Sequence, residues 1–377
     1  MSKILITGGA GFIGSHLANL LSKSGHEIIV LDSLSRQIHG KNPNRSFLFN
    51  SLVPQVKFIY GSVTSKKLLT SLISNIDIVV HLAAETGTGQ SMYKIHKYTD
   101  TNISGTAKLL EAILESSQKV KKIVVASTRA VYGEGKYFCE IHGIVYPPFR
   151  NLENMRIQIW DLKCDLCDST LIQRPTDEES RLNPHSIYGI TKLAQEQMIL
   201  AFGRAYGISA VSLRLQNVFG PGQSLANPYT GILSVFSTRI LNQAKIEIFE
   251  DGQESRDFVY ISDVLDAISR VIDNDEQIVD VFNVGSGESS SVMEIARILE
   301  DLFGRGYMPE ITGDFRMGDI RHNFADITKI REKFGHIPQV SIENGLSDFV
   351  KWVKGQPVAR DEFEKSVSEL RKLGLLK

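Results

Sequence analysis

Residues 3–32 read KILITGGAGFIGSHLANLLSKSGHEIIVLD, and this stretch decides the fold. KILIT (3–7) is a short β-branched run, glycines follow, and apolar residues at helical spacing predict a helix over 12–24. EIIVLD (27–32) returns to strand character. Strand, glycine turn, helix and second strand in this order make a parallel crossover unit. Gly8 permits a tight turn, Gly11 lets the backbone approach a diphosphate, and Gly14 allows the helix to pack closely on the strand. Amides at the helix start attract an anion. Gly8, Gly11, Phe12, Ile13 and Gly14 are therefore candidate residues for holding a dinucleotide. Asp32 ends the second strand, where a carboxylate accepts ribose hydroxyls and repels a 2′-phosphate. That favours NAD over NADP, although Arg36 nearby keeps NADP open.

The same rhythm continues outward. VKFIY (56–60), DIVVHLA (77–83), KIVVAS (122–127), SAVSLRL (209–215) and VDVFNV (279–284) repeat the strand signal, with helical patterns at 65–74 and 99–116 between earlier ones. Near-continuous apolar strands alternating with helices predict an α/β fold, a doubly wound parallel sheet covered on both faces. The reading divides the chain into a dinucleotide-binding part at 1–135, an inserted subdomain at 136–178, and a long helix with return to the first part at 179–220. A smaller substrate lobe follows at 221–258, then another return at 259–284, and lobe with tail helices at 285–377. One tail helix is expected near 341–353. The other, near 360–373, carries Phe363, Val367, Leu370 and Leu373 on one face, with Gly374 past its end.

Composition excludes several classes. With 42 basic and 43 acidic side chains the formal charge is -1, so there is no global field to steer nucleic acid. No apolar run approaches the ~20 residues that span a bilayer, and MSKILITGG enters a strand at once, unlike a secretory leader. Three cysteines cannot all pair within one chain, and a cytoplasmic, reducing location is expected.

Two further segments carry chemistry. HLAAETGTGQS (81–91) follows a strand: Ala83 and Ala84 leave room for a ligand, while Thr86 and Ser91 offer hydrogen bonds to a substrate. YGITK (188–192) puts Tyr188 and Lys192 one turn apart on one helix face. A tyrosine near pKa ~10 is a poor base until a neighbouring cation favours its phenolate. Thr128, at the end of the fifth strand in ASTRAVYG (126–133), could orient a substrate hydroxyl towards Tyr188. Asn102, in the helix after the fourth strand, is a candidate supporting donor on the cofactor side, with a purely structural role as the other reading.

TGGAGFIG, Asp32, AVYG, YGITK, RLQNVFGPGQ (214–223), SRDFVYISDV (255–264) and RMGDIRHNFADITK (316–329) together resemble the extended short-chain dehydrogenase/reductase family, in its nucleotide-sugar epimerase and dehydratase branch. The resemblance spans roughly residues 3–335 and implies a Rossmann-like sheet with a smaller C-terminal substrate-binding lobe. It implies Tyr188 as base, Lys192 on the nicotinamide ribose, and Thr128 on the reacting hydroxyl. Arg129, Asn217, Arg256 and Arg316 are the implied substrate-binding residues, the last three on the nucleotide diphosphate. Two departures stand out. Relatives place an aspartate after the third strand where this chain has Gly61-Ser62. The 4,6-dehydratases follow the threonine with Asp-Glu, whereas here Arg129 and Ala130 follow Thr128, which disfavours dehydration and leaves epimerisation.

All three cysteines fall in the insertion that breaks the α/β rhythm. Cys139-x-x-His142 and Cys164-x-x-Cys167 are two short-spaced pairs that suit a closed tetrahedral zinc site. Buried free thiols or a redox pair are the other readings of the same residues. The arrangement also resembles a cysteine-containing insertion in a subset of the branch that acts on dTDP-L-rhamnose. The resemblance therefore implies C4 epimerisation of a nucleoside-diphosphate sugar, such as a dTDP-6-deoxyhexose. A UDP-glucose, UDP-N-acetylhexosamine or UDP-glucuronate epimerase, an oxidoreductase and a non-catalytic NAD-binding regulator are the alternatives. The stripe Ile103, Ala107, Leu110 and Leu114 reads as core, while the resemblance implies a homodimer paired through this helix.

Overall fold

The computed structural model describes residues 1–227, 229 and 231–377. Its first strands are β1 (Lys3–Thr7), β2 (Glu27–Asp32), β3 (Lys57–Tyr60), β4 (Ile78–His81) and β5 (Lys122–Thr128). With Ser209–Leu215 and Val279–Val284 they form one sheet, ordered Val279–Val284, Ser209–Leu215, β5, β4, β1, β2, β3. Every neighbouring pair in it is parallel. The chain winds one way from β1 to β3 and the other way from β4 onward. The crevice between the β1 and β4 ends is therefore the point where such a fold binds ligands.

Strand periodicity explains the two-sided core. In β1, Ile4 and Ile6 join the core under helix α1 (Phe12–Lys23) and the helix Ile261–Asp273, while Leu5 faces the core on the other side. That other core is roofed by the helices Lys66–Ile73, Gly105–Leu114 and Ile187–Tyr206. A third core, around Phe219, Phe236, Phe258, Leu299 and Phe349, builds the smaller lobe. The helical pattern at 99–116 divides in two: a wide π turn at Thr99–Ser104, then the α-helix Gly105–Leu114. Its expected core stripe is only partly buried. Leu110 is inside, Ile103 and Ala107 are half-buried, and Leu114 is 53% exposed, because Leu109 and Ile113 take the inward face. The tail helix likewise ends at Lys372, leaving Leu373 exposed, with Gly374 at positive φ just beyond. No described helix is long and apolar enough to cross a membrane.

The helix Ile187–Tyr206 is fixed to the sheet by buried charge. Glu196 receives Arg214 Nη2 at 2.6 Å and Nε at 3.1 Å, and the Ser212 hydroxyl at 2.9 Å. Arg214 Nη1 donates to Tyr132 Oη at 2.8 Å. Breaking one half strands a buried charge, which costs about 3–5 kcal/mol. Glu196→Ala is therefore expected to lower unfolding stability by about that amount in denaturant titration. Glu196→Leu combined with Arg214→Met should recover most of the loss, and equal losses for single and double variants would contradict this account.

Candidate active site

A cavity of about 630 Å³ runs along the carboxyl ends of the strands, from the first glycine turn into the smaller lobe. At one end lie Gly8, Gly11, Phe12, Ile13, Gly14 and Asp32. Gly8 has φ +69°, and a Cβ there would stand 2.7 Å from the Ala83 amide nitrogen. A Cβ on Gly14 would stand 2.4 Å from the Gly8 carbonyl oxygen. These close approaches let the β1 and β4 loops meet while α1 aims its first amides into the cavity. Asp32 accepts from the Ala10 amide at 3.0 Å and the Leu34 amide at 2.8 Å, which fixes its carboxylate on the wall. His39 also lines this end, with Nε2 3.9 Å from Asp32. Burial lowers its pKa against the pull of Asp32. Nothing local in the sequence singled out His39, since its place depends on a fold-back after β2.

Ala83, Ala84 and Thr86 line the cavity as expected. Two predicted residues do not. Asn102 is fully buried: its side chain accepts from the Glu85 amide at 2.8 Å and donates to the Glu85 carbonyl at 3.1 Å and to Thr191 Oγ1 at 3.0 Å. It braces the Ala83–Thr86 loop from below. Ser91 is also fully buried, its hydroxyl donating to the Thr88 carbonyl at 2.6 Å and accepting the Tyr188 amide at 3.0 Å. It ties the loop to the helix and leaves no hydrogen for a substrate.

The middle of the cavity brings Thr128, Arg129, Tyr188 and Lys192 together. Ser186 caps the helix before Tyr188, its hydroxyl accepting the Gly189 amide at 3.1 Å. Burial raises the Tyr188 pKa, while a hydrogen bond with Thr128 and the charge of Arg129 favour the phenolate. Burial pulls Lys192 down to about 7 against the attraction of Glu196. Its ammonium donates to Gln195 Oε1. Gln195 Nε2 reaches Thr106 Oγ1 and His81 Nε2, each at 2.9 Å, and His81 Nδ1 lies 2.7 Å from Thr7 Oγ1. Burial, then Lys192, pulls His81 down to about 3, so this relay beneath the site is neutral near pH 7. Gln195 and His81 escaped sequence reasoning because their contacts join residues 114 positions apart.

On the lobe side, Arg129 Nε donates to Asn217 Oδ1 at 2.8 Å. Burial, then the like charge of Arg256, lowers Arg129 to about 9. Arg256 is oriented by the carbonyls of Ser255, Arg321 and Ile320 at 2.7, 2.9 and 2.7 Å. Arg316 Nε lies 3.1 Å from Asp319, and its guanidinium stands 5.0 Å from the Phe249 ring centre. Asn217, Arg256 and Arg316 all line the cavity. Glu250 and Glu254 line it too, and burial pushes Glu254 up to about 7.

Beside the cavity, the insertion folds as a small antiparallel sheet of Tyr137–Cys139, Gly143–Val145 and Ile172–Gln173. Its hairpin turn carries Cys139 and His142, and a second turn carries Cys164 and Cys167. The four ligand atoms lie within 4.8 Å of one another. His142 Nδ1 is 3.5 Å from Cys139 Sγ and 3.4 Å from Cys164 Sγ, and the Cys139 and Cys167 sulfurs are 3.6 Å apart. A tetrahedral zinc with bonds of ~2.0–2.3 Å sets ligands about 3.5–3.8 Å apart, so the donor set fits that ion.

A family model described as the NAD dependent epimerase/dehydratase family matches residues 4–152 and 167–285. The unmatched gap lies inside the insertion. Among curated relatives, the dTDP-L-rhamnose 4-epimerase of Burkholderia thailandensis is 37% identical over 353 residues, covering 93% of this chain and 94% of the relative. Among solved structures, the UDP-glucose 4-epimerase of Thermotoga maritima with UDP-glucose matches with TM-score 0.75 and 31% identity, over 94% of this chain and 99% of that one. The UDP-glucuronic acid 4-epimerase of Bacillus cereus, in complex with UDP-glucuronic acid and NAD, matches with TM-score 0.75 and 27% identity over the same shares. A glycine turn at the strand-order switch, an acid at the end of β2 and a tyrosine–lysine pair on the same cavity thus agree with full-length similarity, and the chain belongs to the NAD-dependent epimerase/dehydratase family.

Proposed function

We propose that the protein is an NAD-dependent 4-epimerase of a nucleoside-diphosphate sugar, acting on a dTDP-6-deoxyhexose such as dTDP-L-rhamnose. The observation that carries this reading is the meeting of Tyr188, Lys192 and Thr128 in one cavity that runs from the dinucleotide turn to Arg256 and Arg316. Arg129 and Ala130 after Thr128 supply no acid–base pair for eliminating water. The dTDP-L-rhamnose 4-epimerase relative supports the choice of sugar. A UDP-sugar 4-epimerase is the second reading, supported by the names of the two structural neighbours.

The residues fit NAD: bare backbone at Gly8, Gly11 and Gly14, the first amides of α1, and the Asp32 carboxylate. Tyr188 and Lys192 would hold the nicotinamide ribose. When bound, NAD supplies a hydride acceptor and donor at the sugar C4. Thr128 holds the 4-hydroxyl and Tyr188 removes its proton. Asn217, Arg256 and Arg316 anchor the diphosphate while the 4-keto sugar turns about its bond to it, so binding energy sits away from the reacting carbon. Tyr188 then returns the proton to O4 as C4 regains its hydride on the opposite face. In this reading Cys139, His142, Cys164 and Cys167 hold a structural zinc, the enzyme is cytoplasmic, and two chains pair through the half-exposed stripe of Gly105–Leu114.

Incubating the protein with dTDP-L-rhamnose, UDP-glucose and UDP-glucuronate, and following C4 inversion by NMR, tests the reading. Inversion of the dTDP-sugar without net use of added NAD is expected. A released keto product would make the protein an oxidoreductase, and no turnover would favour a regulator. Tyr188→Phe should lower kcat by ~10²–10⁴-fold while the variant keeps its bound NAD. Metal analysis should find one zinc per chain, lost in Cys164→Ser and Cys167→Ser together with thermal stability. Unchanged zinc in both variants would remove the metal from the account.

A further inference from the structure

The apolar stripe of the C-terminal helix Phe363–Lys372 takes no part in proton transfer or dinucleotide binding, yet it forms a wall of the cavity. Phe363, Ser366, Val367 and Leu370, spaced i, i+3, i+4 and i+7, all line it. Ser366 donates its hydroxyl to the Phe363 carbonyl at 2.7 Å, so the inner face is mostly carbon and has no free hydrogen to donate.

One end of this wall packs on the loop that braces the helix of Tyr188. Leu370 Cδ2 is 3.7 Å from where a Cβ on Gly89 would stand. Gly89 is two residues before Ser91, whose hydroxyl accepts the Tyr188 amide at 3.0 Å. The other end reaches the diphosphate side: Phe363 and Phe249 have ring centres 6.2 Å apart, and Phe249 carries the Arg316 guanidinium at 5.0 Å. Beyond the helix, the terminal residues pair antiparallel with the segment bearing Arg316. Phe315 N donates to Lys377 O at 2.8 Å, Lys377 N to Phe315 O at 3.0 Å, and Met317 N to Leu375 O at 2.9 Å.

We propose that this C-terminal segment is the specificity wall of the sugar site: Val367 and Leu370 receive the methyl group of a 6-deoxyhexose, while the residues paired with Phe315 and Met317 set Arg316 against the diphosphate. The inference rests on the nucleotide-sugar reading above. A methyl finds carbon partners on this wall. A 6-hydroxyl would give up water with no donor on this wall and only the Ser366 oxygen as acceptor, and a carboxylate would lose far more. Apolar pockets discriminate against an added hydroxyl by about 10²-fold at most, which bounds the preference.

The test compares dTDP-L-rhamnose with its 6-hydroxy counterpart, dTDP-L-mannose, in wild type, Leu370→Ala, Val367→Thr and the outward-facing control Lys372→Ala. Wild type should prefer the deoxysugar by about 10- to 100-fold in kcat/KM. Leu370→Ala should raise KM for dTDP-L-rhamnose about tenfold with kcat nearly unchanged. Val367→Thr, isosteric and able to hydrogen-bond the extra hydroxyl, should narrow the preference. Bound NAD, read by absorbance, should stay at the wild-type level in both, and Lys372→Ala should match wild type throughout. Wild-type KM and preference in both inner-face variants would overturn the wall. So would a wild-type preference for dTDP-L-mannose, which leaves the epimerase reading standing. Turnover of neither sugar by wild type would instead overturn the substrate reading itself.

Discussion

The site depends on how one helix is held against one sheet. Ile187–Tyr206 carries both Tyr188 and Lys192, and its buried face is unusually polar: Gln195 and Glu196 are fully desolvated. A buried carboxylate is tolerable only when every lone pair is engaged. Glu196 meets that condition through Arg214 and Ser212, both on the strand beside β5. Gln195 does the same for the neutral His81 at the end of β4. The helix is thereby registered to two strands whose ends form the cavity floor, with little freedom to rotate or slide.

That fixed register governs the electrostatics above it. Burial makes a phenolate at Tyr188 costly, and burial also weakens the Lys192 ammonium. Left alone, these two effects would give an inert pair. Thr128 and Arg129 oppose the first, one by hydrogen bond and one by charge, without overcoming burial, and Glu196 opposes the second; the positive charge of a bound oxidised nicotinamide would supply the remaining pull towards the phenolate. Arg129 itself is held by Asn217, on the lobe side of the cavity. In the proposed reading, proton transfer and substrate anchoring therefore share a wall, and a change in one is felt in the other. The acidic groups around Arg321 extend this coupling to the insertion. Arg150 pairs with Glu250 at 2.5 Å and Asp161 with Arg321 at 3.0 Å, so the cysteine-bearing subdomain abuts the same lobe wall.

Much of this was legible in the sequence, and the reasons for the failures are instructive. The parallel sheet was readable because strands buried on both faces must be apolar almost throughout. The Cys3His cluster was readable because short spacings bend the chain locally, whatever happens elsewhere. Ser91, expected to face a substrate, stands behind the cavity wall, whereas Asn102 takes the supporting place expected of it. A sequence shows that a polar side chain stands near a loop, but not that backbone groups already occupy its hydrogen-bonding capacity. Leu373 and Leu114 were placed inside because helical spacing alone does not say where a helix stops or which of two apolar faces turns inward. Gln195 and Glu250 act through partners distant in sequence, where local pattern carries no information, and His39 meets Asp32 only because the chain folds back after β2.

The central claim is that Tyr188 ionises within the assembled site in the range where the reaction runs. The most direct measurement is ultraviolet difference titration of the NAD-loaded protein against its Tyr188→Phe variant, which isolates the one phenol. The account predicts a single phenolate transition well below the free-tyrosine value of ~10, at the same pH as the rising limb of kcat/KM. A Tyr188 phenol that stays protonated through that limb, with the rate already at its plateau, would contradict it.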